Sequence, residues 1–357
     1  RSAHVLYSDA TETAHPHQHT RRHRANAPLM LVGQLLDIPD SAEALLTPPV
    51  AALLDRLDVA SHKLRAGTLP GERRSKRRGQ SVEFDDFRPY VVGDDLRHLD
   101  WNAFARFDRF VIKLFRAEED LAVTIILDES PSMRAGEDET ADGRRLESKL
   151  VQAARLTMGI GSIALAKQNR VSVIRTGAGP RAEMLPPCRG RRSIERLGRF
   201  LIDGRRKPHD PGASVPDFTT AMRGAGRVRR GRGVVILISD LLVRGDITPG
   251  LRALVAADRT GTDGAVLRVL SPAEIDPTRH AAAVRGDLRL EDAEGGPVSE
   301  VTVSGALLRR YRQRFADHEA ELRRACTRLN LPMLTCPTDQ PASDVLAGSL
   351  RRMGLLA

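Results

Sequence analysis

The tightest constraint on this chain is an apolar run that ends on an acid: Val123 to Leu127, followed at once by Asp128, Ser130 and Ser132 at alternate positions. A continuous β-branched and aliphatic run of that length predicts a strand buried on both faces of a parallel sheet. A second run of the same kind, Val234 to Ile238, ends in Ser239-Asp240 about a hundred residues later. In open α/β sheets ligands collect beyond the carboxyl ends of the strands, so Asp128 and Asp240 are expected on the rim where sites are built.

Asp-x-Ser-x-Ser offers one carboxylate and two hydroxyls. These are hard oxygen donors, suited to Mg²⁺ or Mn²⁺ with water completing the octahedron. Asp and Ser after a strand also make good helix caps and turns, which is the plainer use of the same residues. The second strand-end Asp is what favours the metal.

Between and around these strands the pattern alternates. Helices are expected at 146–167, 193–202, 218–224 and 251–257, and strands at 171–175, 265–270 and 333–336. A long charged helix is expected at 307–329 and a last helix from about residue 344. The result is an α/β fold with a doubly wound, mostly parallel sheet over residues 119–357. Leu288, Leu290, Val298, Val301 and Val303 around Gly295-Gly296 predict a β-hairpin insertion near 287–303.

The first 118 residues read differently. Residues 1–40 are polar, with His15, His17, His19 and His23 and no periodicity, and are expected to be a disordered leader. An amphipathic helical stretch follows over 41–66, then a basic loop over 71–79. Eight of the chain's thirteen aromatic residues fall between Ser81 and Phe115, laced with Asp and Arg. That concentration predicts a compact aromatic module with Arg–carboxylate pairs, a turn at 93–95 whose Asp94 or Asp95 caps a short helix, and a strand at 110–115 beside the one ending at Asp128. Residues 41–118 are accordingly read as one N-terminal module.

Composition narrows the function. The 357 residues carry a formal charge of +10, but fifty of the 56 basic residues are Arg, spread along the chain. Clusters such as Arg73 to Arg78 and Arg227 to Arg232 lack interleaved aromatics for base stacking, so nucleic-acid binding is the weaker reading. Cys188, Cys326 and Cys336 are too few and too scattered for a disulfide framework or zinc cluster. No apolar segment is long enough to span a bilayer and no signal core is visible, so a cytoplasmic location without membrane insertion is expected. No Walker-type Gly-Lys-Ser/Thr loop is present, so ATP hydrolysis by this chain is not expected.

The run Phe87-Arg88-Pro89-Tyr90, Gly93-Asp94-Asp95-x-Arg97, Asp100-Trp101, Ala105-Arg106 and Val111-x-Lys113-x-Phe115 resembles the signature of the bacterial DUF58 proteins. The resemblance runs from about Leu64 to the C-terminus and includes the strand at Asp240 and the helix bearing Tyr311, His318 and Cys326. It implies a von Willebrand factor A-like domain whose metal-ion-dependent adhesion site (MIDAS) is formed by Asp128, Ser130, Ser132 and Asp240. The family's Thr ligand falls on Pro216, which has no oxygen to offer from its side chain, leaving Ser214, Thr219 or Asp217 as substitutes. It further implies partnership with a MoxR-type AAA+ ATPase. The expected function is thus a non-enzymatic, metal-dependent protein-binding adaptor that gives such an ATPase its client, in chaperone-like remodelling or cofactor insertion. A metal-dependent phosphohydrolase is the rival reading, weakened because Asp128-Glu129-Ser130 lacks a second Asp two residues after the first for acid catalysis.

Overall fold

The structure, a computed structural model, describes residues 39, 41–60, 82–92, 94, 96–117, 121–134, 147–206, 216–228, 233–243, 245–256, 263–280, 286–290 and 298–357. The expected leader, the basic loop at 71–79 and Ser214 lie outside them.

The chain forms two units, one comprising 1–65 and 121–357 and the other 66–120. Two short helices, α1 (Ala42–Leu45) and α2 (Pro48–Leu54), open the first unit. The second unit holds β1 (Val82–Pro89), α3 (Trp101–Phe107) and β2 (Val111–Ala117). The chain then returns to the first unit with β3 (Ala122–Asp128), the turn α4 (Pro131–Arg134), α5 (Lys149–Ala166), β4 (Arg170–Thr176), β5 (Glu183–Cys188) and α6 (Ser193–Arg206). There follow α7 (Phe218–Val228), β6 (Gly233–Ser239), α8 (Thr248–Ala256), β7 (Asp263–Leu270) and the turn α9 (Pro272–Ile275). A hairpin of β8 (Gly286–Leu290) and β9 (Ser299–Val303), the long α10 (Gly305–Arg328), β10 (Met333–Pro337) and helical turns over 342–352 complete it.

The six-stranded sheet runs β10-β7-β6-β3-β4-β5, parallel throughout except for the antiparallel edge pair β4–β5. Every residue of β3 and β6 is buried, as their unbroken apolar runs require. Because strand side chains alternate, Val123, Ile125 and Leu127 enter one core with α5 and α6, while Ile126, Val235 and Leu237 enter a second core against α7, α8 and α10. Helix α5 is buried along almost its whole length. Its packing is so close that a Cβ on Gly159 would lie 2.3 Å from Leu346 Cδ1.

The doubly wound, mostly parallel α/β fold is as expected, and so is the hairpin near 287–303. The short helices are placed differently. They pack into the α/β unit, where Arg155 of α5 donates to the carbonyls of Ala44 and Leu45 at 2.7 and 3.2 Å. The segment after α2 pairs with the end of the chain: Val59 bridges Leu356, and Ala60 N–H donates to Leu355 O at 2.9 Å. Leu54, Leu57 and Val59 lie buried in the α/β core, so this segment belongs to the α/β unit.

Within the second unit, β2 pairs antiparallel with β1, not with β3, and β1 carries too many charges to have been read as a strand. Asp100 caps α3 by accepting from Asn102 and Ala103 N–H. Asp94 instead accepts from Val91 N–H and pairs with Arg88 at 2.6 Å. Phe104 stacks on Phe110 with ring centroids 4.3 Å apart, but Trp101 and Phe107 remain 62% and 71% exposed.

Leu156, fully buried in α5, tests this core. Leu156→Ala should lower unfolding stability by about 2–5 kcal/mol through lost burial and a residual cavity, read from urea denaturation.

Candidate functional site

Strand β3 lies at the centre of the sheet. From it the chain moves to β4 on one side and later returns to β6 on the other, so the β3–β6 boundary is the topological switch point. Adjacent parallel strands ending there bring Leu127 opposite Ile238 and carry Asp128 and Ser239-Asp240 to one rim.

The two loops are tied directly. Ser239 Oγ donates to Asp128 Oδ2 at 2.6 Å and accepts from Leu241 N–H at 3.0 Å. Leu241 takes a left-handed backbone conformation, φ 51°, which turns the chain sharply after Asp240. His318 of α10 bonds the Leu241 carbonyl at 3.0 Å and supports that turn from behind.

In the first loop, Asp128 Oδ1 accepts from Ser130 N–H at 2.9 Å, and the Ser130 and Ser132 hydroxyls are 3.0 Å apart. Glu129 faces away: its N–H donates to Thr176 O at 2.7 Å and its carboxylate lies 3.9 Å from Arg175. Gly177, at φ 86°, sits against the loop so closely that a Cβ there would lie 2.7 Å from Ser130 N and 2.8 Å from Asp128 Oδ1.

Asp128 is buried, and its pKa is pushed up to about 6, first by burial and then by the negative charge of Asp240, against the hydrogen bonds from Ser239 and Ser130. Asp240 is compensated by Lys149, the first residue of α5 and fully buried. The Lys149 ammonium lies 2.8 Å from Asp240 Oδ2 and 2.6 Å from Glu274 Oε1. Burial alone pulls the ammonium down, but attraction to Asp240 and Glu274 prevails and its pKa is raised. Glu274 is held by a capping box with Ser271, and Tyr311 donates to the Glu274 carbonyl at 2.5 Å.

Arg268, also buried, donates from Nε to the Asp240 carbonyl at 3.0 Å and lies over the Phe315 ring. Asp217 caps α7 instead: it is exposed, and its two oxygens accept from Thr220 N–H and Oγ, which lowers its pKa. Thr219 is the second residue of α7, and Pro216 stands two residues before the helix.

Among the described residues, no three His, Cys, Asp or Glu side chains gather as a metal cluster. The rim therefore offers carboxylates mixed with hydroxyls. Asp128, Ser130 and Ser132 bring a carboxylate and two hydroxyls together, a set of hard oxygen donors that fits a divalent cation. Sequence reasoning identified the Asp and Ser residues but missed Lys149, Ser239, Glu274, Arg268 and Gly177. A lysine opening a helix reads as a solvated end, and Ser239 gains meaning only once the β3–β6 register is known.

A family model described as "Protein of unknown function DUF58" matches residues 86–323. The uncharacterized protein Rv1480 of Mycobacterium tuberculosis is 27% identical over 87% of this chain and 92% of its own length. An uncharacterized protein of Mycobacterium avium is 30% identical over 48% of this chain and 96% of its own. Among solved structures, conserved hypothetical protein BatB from Bacteroides thetaiotaomicron is 16% identical, covering 66% of this chain and 98% of that one, with a TM-score of 0.37. Likeness of that degree fixes neither fold nor function.

Two outcomes follow. A carboxyl whose folded pKa is raised favours folding most below its unfolded pKa, and that contribution is lost as pH rises from about 4 through 6. Chelator-treated Asp128→Asn should therefore be more stable than the parent above pH 6, by up to about 3 kcal/mol, with the difference shrinking toward pH 4 in urea titrations. Gly177→Ala should displace the Ser130 loop and cost about 1–3 kcal/mol, measured the same way.

Proposed function

The chain belongs to the DUF58 family, and we propose that it works as a non-enzymatic, metal-dependent protein-binding adaptor for a MoxR-type AAA+ ATPase. The observation that carries this reading is the placement of Asp128, Ser130 and Ser132 beside Asp240 at the switch point of a parallel sheet. Asp128, Ser130 and Ser132 would hold Mg²⁺ or Mn²⁺, with Asp240 on the neighbouring strand already paired to Lys149. Asp217, whose two oxygens cap α7, is left out of this set.

When bound, the ion supplies a coordination position for a carboxylate on the partner. The protein's own part is to hold that position rigid. Ser239 fixes the Asp128 carboxylate, Gly177 leaves room for the loop, and Lys149 holds Asp240. Association would then depend on the metal and be reversible by chelation. The reading places the adaptor in the cytoplasm with the ATPase. Among the described residues no helix is long and apolar enough to cross a membrane.

The test is thermal unfolding in EDTA and in millimolar Mg²⁺ or Mn²⁺, with an Asp128→Ala/Ser130→Ala variant alongside. An ion at a hundred times its dissociation constant stabilises by about 2.7 kcal/mol, a shift of a few degrees that the variant should lack. Co-purification with the MoxR-type ATPase should likewise be lost in EDTA and in the variant. Retention in both would overturn the metal-dependent reading.

A further inference from the structure

Lys149 stands where electrostatics disfavours it. It is the first residue of an eighteen-residue helix, at the positive end of the helix dipole, and is wholly buried. A buried ammonium without carboxylates costs several kcal/mol, so its position is explained only by what it touches. It touches Asp240 Oδ2 at 2.8 Å and Glu274 Oε1 at 2.6 Å.

Neither acid is loosely placed. Asp240 Oδ1 accepts from Leu242 N–H at 3.0 Å, and Glu274 Oε2 accepts from Ser271 N–H at 2.9 Å. The ammonium therefore occupies a cation position whose two carboxylates are fixed beforehand by the backbone. A divalent ion approaching Asp240 would meet the repulsion of the neighbouring ammonium, across a carboxylate whose two oxygens both already accept hydrogen bonds.

We infer that Lys149 is the resident counter-cation of Asp240, confining any divalent ion at this rim to Asp128, Ser130 and Ser132. This rests on the metal-binding reading above and specifies its regulation. An ion held by one protein carboxylate keeps a net positive charge. It is held weakly by this chain alone and strongly once a partner's carboxylate completes its shell. Metal and acidic partner thus each strengthen the other's binding, while the chain alone holds the ion weakly but measurably.

Mn²⁺ titration of the full chain, followed by electron paramagnetic resonance, tests the assignment with Asp128→Asn, Asp240→Asn and Lys149→Met, each checked for folding by circular dichroism. Asp128→Asn should abolish binding, whereas Asp240→Asn should leave the affinity within about twofold of the parent. Lys149→Met, which frees Asp240 for the ion, should tighten binding about tenfold. Where Lys149→Met does not fold, the Asp240→Asn comparison decides.

Loss of Mn²⁺ in Asp240→Asn, or unchanged affinity in folded Lys149→Met, would overturn the inference while leaving the metal reading intact. Binding that survives Asp128→Asn would overturn the metal reading and the inference with it. A parent that binds no Mn²⁺ beside a Lys149→Met variant that does would support the inference and sink the metal-dependent adaptor. No binding in either would overturn both.

Discussion

A buried positive charge can be held inside a protein only where negative charge is already waiting, and the Lys149 ammonium between Asp240 and Glu274 meets that condition. Three elements meet on it: the start of α5, the turn after β6 and the turn after β7. Removing the lysine would leave two acids side by side without a counter-charge, so Lys149 ties these three segments to one another. Ser239 carries the constraint one step further, since its hydroxyl joins the Asp240 turn to Asp128. The rim at the switch point is thus rigid because of charge and hydrogen bonding, while the sheet beneath it is rigid because of apolar packing.

How far the sequence discloses the fold depends on burial. β3, β6 and β7 are covered on both faces, and their apolar runs, broken in β7 by Arg268, make them legible without any structure. β5, Glu-Met-Leu-Pro-Pro-Cys, lies antiparallel at the sheet edge with only Leu185 and Cys188 buried and with two prolines, so it shows neither a run nor a period of two. β1 is hidden because Glu83, Asp85, Asp86 and Arg88 interrupt its apolar residues in the sequence.

The site divides along the same line. Asp128, Ser130, Ser132 and Asp240 are legible because strand ends and hard-oxygen chemistry are both written locally. Lys149, Glu274 and Ser239 come from three separate stretches, and only the strand order brings them to one rim. Asp217 shows the opposite case, a residue whose chemistry suggests a ligand and whose observed work is capping α7. Small acids and hydroxyls suit both tasks, and only the geometry separates them.

The pairing of residues 58–60 with 355–357 has a consequence for how the molecule is made. The α/β unit is discontinuous in sequence, with the aromatic unit threaded between its first segment and β3. During synthesis α1 and α2 leave the ribosome long before the residues that close over them. Their apolar faces must wait, exposed, for about a hundred residues until α5 is made, and the segment at 58–60 waits far longer for its partner. Residues 355–357 are the latch, and a ribosome stalled just before them would present the assembled sheet with the segment after α2 still unpaired.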